Sequence, residues 1–258
     1  MAESPFFNKI ALVTGSGRGI GKAIAIHFAR LGADIVVNFY RNRAPAEETA
    51  REIRALGRKA LLVKANVGEI TELNELFDQI EQYYGGLDFF ISNAASGYNR
   101  PVMEQKPKGW DWAMNINARS LLFAAQRAAP LMERRGGGAI VSITSQGSNR
   151  VIPDYVVVGA SKAALESVTR YLGVELSRKN IVANAISPGI VETDALRHFD
   201  IVRNEDEIIA RTIRQTPAGR LVTPQDIANL AAFLCSPEAS MIRGQVIVLD
   251  GGATLPIQ

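Results

Sequence analysis

A tyrosine and a lysine in one predicted helix are well placed for acid chemistry. Tyr155 and Lys162 stand seven positions apart in segment 154–176, whose pattern predicts a helix. An α-helix has about 3.6 residues per turn, so both side chains are expected to project from one face. A phenol can donate a proton, and a nearby ammonium group strengthens it as an acid. The pair therefore predicts a proton donor assisted by a cation.

A glycine-rich turn joins the first predicted strand to the first predicted helix. Its residues are Gly15, Ser16, Gly17, Arg18, Gly19, Ile20 and Gly21. Glycine lets a pyrophosphate approach the main chain, and the start of a helix offers free N–H groups and a partial positive charge. The order of strand, turn and helix predicts a dinucleotide-binding site rather than a turn with packing duties only.

The end of the second predicted strand indicates which dinucleotide binds. It reads Asn38, Phe39, Tyr40, Arg41, without the acidic residue that would bond the 2′-hydroxyl of NAD. Arg18 and Arg41 could instead form charge-assisted hydrogen bonds with a 2′-phosphate. We therefore expect NADPH, although either arginine could also be a solvated surface group.

Short apolar, β-branched runs alternate with longer segments of helical period along the chain. The predicted strands are 10–14, 34–39, 60–65, 87–92, 139–144, 181–186 and 245–249. The predicted helices are 19–31, 44–56, 70–84, 110–133, 154–176 and 224–234. This pattern predicts one α/β domain over 1–258, a Rossmann-type doubly wound fold with a seven-stranded parallel sheet and helices on both faces. The polar segment 194–215 is expected to be a mobile substrate-binding flap.

The composition argues against several classes of function. The chain has 29 basic and 26 acidic residues, which are scattered, so nucleic-acid binding has little support. Its one cysteine allows no internal disulfide, and His27 and His198 have no partners at ligand spacing, so no metal is expected. The N-terminal residues do not read as a secretory signal, and no uncharged apolar run is long enough for a membrane span. We expect a cytoplasmic protein.

Residues beyond the glycine turn carry a resemblance to a known superfamily. They are Asn93, Ala94, Ala95, Asn117, Ser145, Tyr155 and Lys162. With the turn, they resemble the short-chain dehydrogenase/reductase superfamily over essentially the full length. Typical members carry tyrosine four residues before the lysine, where this chain has Val158. The spacing seen here is similar to bacterial enoyl-acyl-carrier-protein reductases, and stretches 93–97, 100–104, 110–112 and 114–117 look like the NADPH-dependent type III enzymes.

The resemblance implies roles for individual residues. It implies that the catalytic residues are Tyr155, Lys162, Ser145 and Asn117. It also implies cofactor contacts for Asn66, Val67, Asn93, Lys162, Pro188, Gly189, Ile190 and Thr193. The chain departs from the pattern at Ala95, where glycine is usual, and at Asn66, where aspartate is common. Better-known enoyl reductases carry a second tyrosine at the position of Ser145. The resemblance further implies a homotetramer.

The position of the tyrosine suits one reaction better than another. In ketone reduction, hydride and proton reach adjacent atoms, whereas in a 2-enoyl thioester the hydride reaches the β-carbon and charge develops on the thioester oxygen. Tyr155, about 4.5 Å further toward the helix start than position 158, could reach that oxygen and stabilise the enolate. Lys162 would bond the nicotinamide ribose and favour the phenolate. The leading hypothesis is NADPH-dependent reduction of trans-2-enoyl thioesters on acyl carrier protein in fatty-acid elongation.

Two other functions stay open. In a 3-oxoacyl or hydroxysteroid-type carbonyl reductase, Tyr155 would reach inward through an irregular helix start, which Pro153 makes conceivable and Ser145 favours. A nucleotide-sensing protein without a tyrosine at position 158 would catalyse nothing. The presence of Asn117, Ser145 and Lys162 argues against such a sensor.

Overall fold

The computed structural model describes residues 4–192 and 205–255. The strands are β1 (Ile10–Val13), β2 (Asp34–Phe39), β3 (Ala60–Lys64), β4 (Phe89–Ser92), β5 (Gly138–Ile143), β6 (Ile181–Pro188) and β7 (Val246–Leu249). The helices are α1 (Gly19–Arg30), α2 (Arg43–Ala55), α3 (Ile70–Tyr84), α4 (Pro107–Met114), α5 (Ser120–Glu133), α6 (Val156–Glu175), α7 (Glu205–Gln215) and α8 (Pro224–Leu234).

The strands form one parallel sheet in the order β3-β2-β1-β4-β5-β6-β7. The strand order reverses between β1 and β4, and ligands of open α/β sheets bind at the carboxyl ends of the strands beside such a reversal. The predicted seven-stranded doubly wound fold is confirmed. Its topology places the ends of β1 and β4 at the crevice where a dinucleotide would be expected.

Helices cover both faces of the sheet, and β1 shows how. Ala11 and Val13 belong to a buried cluster with α1, α2 and α8, whereas Leu12 belongs to a cluster with α3, α5 and α6. Successive side chains of a strand point to opposite faces, so a strand covered on both sides must be apolar throughout. This is why the strands read as continuous apolar runs.

The predicted helix 110–133 is two helices joined by a wider turn. Helix α4 begins earlier, at Pro107, whose fixed φ suits the first position of a helix. Between α4 and α5, Asn115–Arg119 forms a π-helical turn. Such turns accommodate an extra residue and are frequent at functional sites. This one buries Asn117, which is 1% exposed.

The predicted helix 154–176 begins later, at Val156. Asp154 has a φ of 62°, a left-handed conformation that aspartate tolerates better than most residues. Tyr155, with φ −104° and ψ 9°, therefore precedes the helix. The predicted helix start is wrong by two residues, because the chain turns at Asp154. The O of Tyr155 still accepts from Gly159 N at 2.8 Å, as in the first turn of a helix, and Tyr155 and Lys162 both reach the end of β5, as expected of side chains on one face.

The predicted flap 194–215 is only partly within the described residues. Thr193 and residues 194–204 lie outside them. The last part, 205–215, forms helix α7. In the described part of the chain, no helix combines the length and apolar character needed to cross a bilayer.

Candidate active site

A cavity of about 660 Å³ opens at the carboxyl ends of β1 to β4. The glycine-turn residues that border it are Gly15, Gly17, Arg18, Gly19, Ile20 and Gly21. Asn66, Val67, Asn93 and Arg41, for which cofactor contacts are predicted, also border it. The cavity therefore collects most of the predicted cofactor residues of the first half of the chain. Its volume is typical of a small-molecule site.

Two glycines of the turn leave no room for a side chain. Gly15 has a φ of +65°, and a Cβ on Gly21 would lie 2.5 Å from Gly15 O. The main chain at the start of α1 therefore lies directly against the turn. The exposed N–H groups of this helix start fit a pyrophosphate, so the residues present suit a nicotinamide dinucleotide.

Asn38 and Asn93 hold the turn in place. Asn93 Nδ2 donates to Thr14 O at 2.9 Å and to Gly15 O at 3.3 Å. Asn38, which is 2% exposed, accepts from Gly15 N at 3.2 Å through Oδ1 and donates from Nδ2 to Ala65 O at 3.1 Å. Sequence reasoning missed this role of Asn38. The available signal was an amide inside an otherwise apolar strand, which must find partners once buried.

Like Asn38 and Asn93, Ser16 helps to hold the glycine turn in place, and it does not line the cavity. It is fully buried, its Oγ accepts from Asn38 N at 3.2 Å, and its own N donates to Asn38 O at 3.0 Å. Within the described residues, the side chain of Ser16 does not border the cavity. The hydroxyl of Ser16 thus ties the turn to β2, and the cofactor contact predicted for Ser16 stays a prediction.

Two arginines mark one end of the cavity. Arg18 and Arg41 are exposed, and the guanidinium carbon of Arg41 lies 5.9 Å from the ring centroids of both Tyr40 and Trp112. A guanidinium within about 6 Å of an aromatic ring is attracted to its face. The aromatic rings thus hold Arg41 at the cavity mouth, where it could meet an anionic group of a ligand.

The phenol of Tyr155 lies at the end of β5. Its Oη is 3.5 Å from Ser145 Oγ, a long hydrogen bond, and Ser145 Oγ also accepts from Gly147 N at 3.2 Å. A Cβ on Gly147 would lie 2.6 Å from the Tyr155 ring, so this glycine lets the ring lie against the main chain. Burial raises the pKa of Tyr155, and the bond with Ser145 opposes this.

Lys162 lies beneath the same strand end. It is 5% exposed, and its Nζ donates to Ile143 O at 2.7 Å. Burial lowers its pKa to about 8, and the negative charge of Glu166 opposes the lowering. Burial of the phenol outweighs the bond with Ser145, so the pKa of Tyr155 is raised overall, and the expected lowering by Lys162 stays a prediction.

Both polar atoms of the Asn117 carboxamide form hydrogen bonds with protein atoms. Its Oδ1 accepts from Ser96 N, and its Nδ2 donates to Ser96 O and to Ser161 Oγ, each at 2.8 Å. Trp112 Nε1 also donates to Ser96 Oγ at 2.8 Å. Asn117 therefore joins the loop after β4 to helix α6. These bonds give Asn117 a positioning role, and the catalytic role predicted for it stays a prediction.

Val158 fills the position four residues before Lys162. It is 4% exposed, and a Cβ on Gly97 would lie 2.1 Å from Val158 Cγ2. The loop after β4 thus packs directly on this side chain. A tyrosine at position 158 would need that loop to move.

Three predicted cofactor residues at and after the end of β6, Pro188, Gly189 and Ile190, do not line the large cavity, although Glu192 of the same segment does. Pro188 is buried, and Gly189 N donates to Leu249 O at 2.9 Å. Gly189 and Ile190 border a second cavity of about 200 Å³, together with Gln146, the neighbour of Ser145. The structure thus brings the segment after β6 close to the strand end that carries Ser145. In the described ranges, no group of three or more His, Cys, Asp or Glu side chains is arranged to hold a metal ion.

Comparison with known proteins gives the same fold with several chemistries. A family model described as "Enoyl-(Acyl carrier protein) reductase" matches residues 15–254. A hydroxynaphthalene reductase-like protein Arp2 of Metarhizium guizhouense is 38% identical, over 95% of this chain and 94% of its own. A 1-cyclohexenylcarbonyl-CoA reductase of Streptomyces collinus is 36% identical, over 96% and 87%. The structure of a 7α-hydroxysteroid dehydrogenase with NADH and 7-oxo glycochenodeoxycholic acid is 36% identical, with a TM-score of 0.91 over 99% of this chain and 98% of that one.

Proposed function

Because the chain belongs to the short-chain dehydrogenase/reductase superfamily, and is thus an oxidoreductase using a nicotinamide cofactor, we propose that it is an NADPH-dependent enoyl-acyl-carrier-protein reductase. The substrate is a trans-2-enoyl thioester in fatty-acid elongation. One observation carries the proposal. The phenol of Tyr155 lies at Ser145, while position 158 holds a buried valine packed against Gly97.

The residues at the end of β5 are suited to place a proton donor at a distance from the carbon that receives hydride. The cofactor would supply a hydride to the β-carbon of the enoyl group, and the resulting enolate would take up a proton at its α-carbon to complete the reduction. Tyr155 donates a hydrogen bond to the thioester oxygen as negative charge develops there, and such preorganised donors are a major source of rate enhancement. Its raised pKa keeps the proton on the phenol at neutral pH. Ser145 orients the phenol, and Lys162 contributes a positive charge from beneath.

The preference for NADPH rests on the arginines at the cavity mouth. Arg41 lies two residues after the end of β2, in the region where an acidic residue would favour NAD. Arg18 lies in the glycine turn on the same cavity. Two guanidinium groups there would pair with the 2′-phosphate. The hydroxysteroid dehydrogenase structure contains NADH, so coenzyme choice varies on this fold.

One relative supports the substrate class. The name 1-cyclohexenylcarbonyl-CoA reductase denotes a thioester whose carbonyl is attached to a carbon–carbon double bond. That arrangement is the same conjugated system as in a trans-2-enoyl thioester. We extend the proposal to an acyl-carrier-protein thioester and to a homotetramer. Exposed apolar residues on α6 and β7, such as Val174 and Val248 at 73% and 51%, support association of copies.

A carbonyl reductase is the second candidate, and a specific observation favours it. The irregular start of α6 brings Tyr155 to Ser145, as that hypothesis requires. The hydroxysteroid dehydrogenase and the hydroxynaphthalene reductase-like relative have names that fit this reading. The two functions differ in which atom of the substrate receives hydride.

An assay with two substrates separates the candidates. NADPH oxidation is followed with a crotonyl thioester and with an acetoacetyl thioester, each presented on acyl carrier protein. We expect turnover of the crotonyl substrate at least about a hundredfold faster in kcat/KM, which is about 3 kcal/mol in barrier. Faster turnover of acetoacetyl thioester would reject the proposal in favour of carbonyl reduction. Binding of NADPH without turnover of either substrate would reject both.

A further inference from the structure

Glu166 is a buried carboxylate to which the chemistry above gives no role. The residue is 8% exposed and follows Lys162 by four positions in α6. Residues four apart on a helix are neighbours on one face. A buried carboxylate is costly unless it is hydrogen-bonded or near a positive charge. Glu166 has one partner of each kind.

Consecutive residues at the end of β5 anchor the two side chains. Lys162 Nζ donates to Ile143 O at 2.7 Å, and Thr144 Oγ1 donates to Glu166 Oε1 at 2.8 Å. Ser145 is the next residue. The lysine and the glutamate are thus fixed side by side under the strand end that presents Ser145 to Tyr155.

The charges around Lys162 in the described chain are few. Glu166 is the ionisable group whose charge acts on the pKa of Lys162, and it acts against the effect of burial. The π-helical turn packed against α6 contributes the neutral Asn117, which bonds Ser161. Tyr155, just before α6, is the titratable residue that most closely precedes Lys162 in the sequence. Its raised pKa keeps it neutral at neutral pH.

We propose that Glu166 is a positioning residue whose carboxylate keeps Lys162 a cation and fixes the end of β5 that carries Ser145. The proposal adds to the proposed function and rests on it, because the charge on Lys162 is put to use in the proposed reaction. Without the negative charge, Lys162 would lose its proton at lower pH. Without the bond to Thr144, the strand end would be held less firmly. The two effects can be separated by substitution.

Titration of Lys162 tests the first effect without a substrate. Lysine labelled with ¹³C at Cε is followed by NMR from about pH 6 to about pH 11 in the full-length protein. The Lys162 signal is assigned by its loss in Lys162→Met. We expect a midpoint near 8 in wild type, and one lower by on the order of one unit in Glu166→Gln. Glu166→Asp, which keeps the charge, should stay closer to wild type than Glu166→Gln.

Two further variants make the test decisive. Thr144→Val removes the hydroxyl but leaves the carboxylate, so its Lys162 midpoint should not fall. Glu166→Met removes the charge with little change in volume and serves as the neutral variant if Glu166→Gln does not fold. A neutral variant that titrates as wild type does would overturn the proposal. So would a fall of equal size in Thr144→Val, since that would assign the effect to the hydrogen bond.

The activity profile links this titration to the reaction. In Glu166→Gln, the alkaline fall of kcat/KM for the crotonyl thioester should move to lower pH by the same amount as the NMR midpoint. An NMR shift without enoyl turnover in wild type would retain the role of Glu166 and reject the proposed function. An NMR shift with an unmoved activity profile would overturn the claim that Lys162 acts as a cation through Glu166.

Discussion

The cofactor cavity and the proton-donor cluster of this protein are built in different ways. The cavity is shaped by main chain that leaves no space for side chains, as at Gly15 and Gly21. The cluster is made of side chains from separate segments, with Tyr155 before α6, Ser145 after β5 and Lys162 within α6. A main-chain site can serve any reaction that uses the same cofactor. The side-chain cluster decides which atom of the substrate is protonated.

The relatives illustrate this division. The hydroxysteroid dehydrogenase structure superposes on nearly the whole chain with a TM-score of 0.91, although its bound compound is a steroid. Fold and cofactor turn are therefore shared by proteins with different substrates. In this chain the local features of the cluster are Val158 packed against Gly97 and a tyrosine held just before the helix. Changes at the cluster should alter chemistry, whereas changes at the cavity should alter cofactor binding.

Tyr155→Phe should have the largest effect and should separate the two regions cleanly. Loss of the phenol removes the group that stabilises the thioester oxygen, so kcat for the crotonyl thioester should fall about a thousandfold. The Kd for NADPH, measured by fluorescence, should change less than about twofold, since the cavity is untouched. Val156→Ala, at an exposed neighbouring position, is the control. If Tyr155→Phe kept more than a tenth of wild-type kcat, Tyr155 would not be the group that stabilises the thioester oxygen.

Lys162→Met tests whether the cluster carries a buried charge. The ordinary pKa of 10.5, which applies to the unfolded chain, falls to about 8 in the folded protein. Between these pH values the folded state binds fewer protons, so its free energy of unfolding should rise with pH relative to that of Lys162→Met. The full rise is about 3 kcal/mol, and below pH 8 burial of the charge is a constant cost.

Urea unfolding of both proteins between about pH 7 and about pH 10 measures this difference. The kcat/KM of wild type should decline above about pH 8 as Lys162 loses its charge. A difference in stability that stays constant with pH would show that Lys162 is not a buried cation.

Gly97→Ala tests the packing of the loop after β4 on the side chain of Val158. The new methyl group would overlap Val158 Cγ2, so we expect a loss of stability of about 2 kcal/mol. Val158→Ala in the same chain should restore part of it, and the double-mutant cycle measures the coupling. Additive effects would show that the two residues do not constrain each other. Thermal or urea unfolding is sufficient, since no substrate is involved.

Arg41→Ala should have the smallest effect, and it should be confined to the cavity. Loss of one charge-assisted contact should raise the Kd for NADPH about tenfold and leave that for NADH unchanged. Arg43→Ala is a matched control, because Arg43 is 69% exposed and pairs with Glu47. Equal loss of affinity for both cofactors would remove Arg41 from recognition of the 2′-phosphate.

Sequence reasoning succeeded where the signal is local. The strand and helix periods predicted a seven-stranded parallel sheet. The glycine turn predicted a dinucleotide site at the end of the first strand, where the cavity lies, because a main-chain site depends on the residues that form it. It failed at Asp154 and at Asn115–Arg119. A single left-handed residue or one widened turn scarcely changes an apolar pattern, yet each changes where a helix of the site begins or ends.

Polar residues in the interior were the other omission. Asn38 and Glu166 lie in apolar surroundings, and their partners, Gly15 and Thr144, are distant in sequence. The residue types alone show only that these side chains, once buried, must have hydrogen-bond partners. Which atoms they hold depends on tertiary structure, so the support of the site could not be assigned before the fold was known.

The most direct test of the account is the structure of a ternary complex with NADP⁺ and an enoyl thioester. The account predicts Tyr155 Oη within about 3.2 Å of the thioester carbonyl oxygen, with Val158 still packed against Gly97. A Tyr155 ring turned away from the bound dinucleotide, or a thioester oxygen held by another donor, would contradict it.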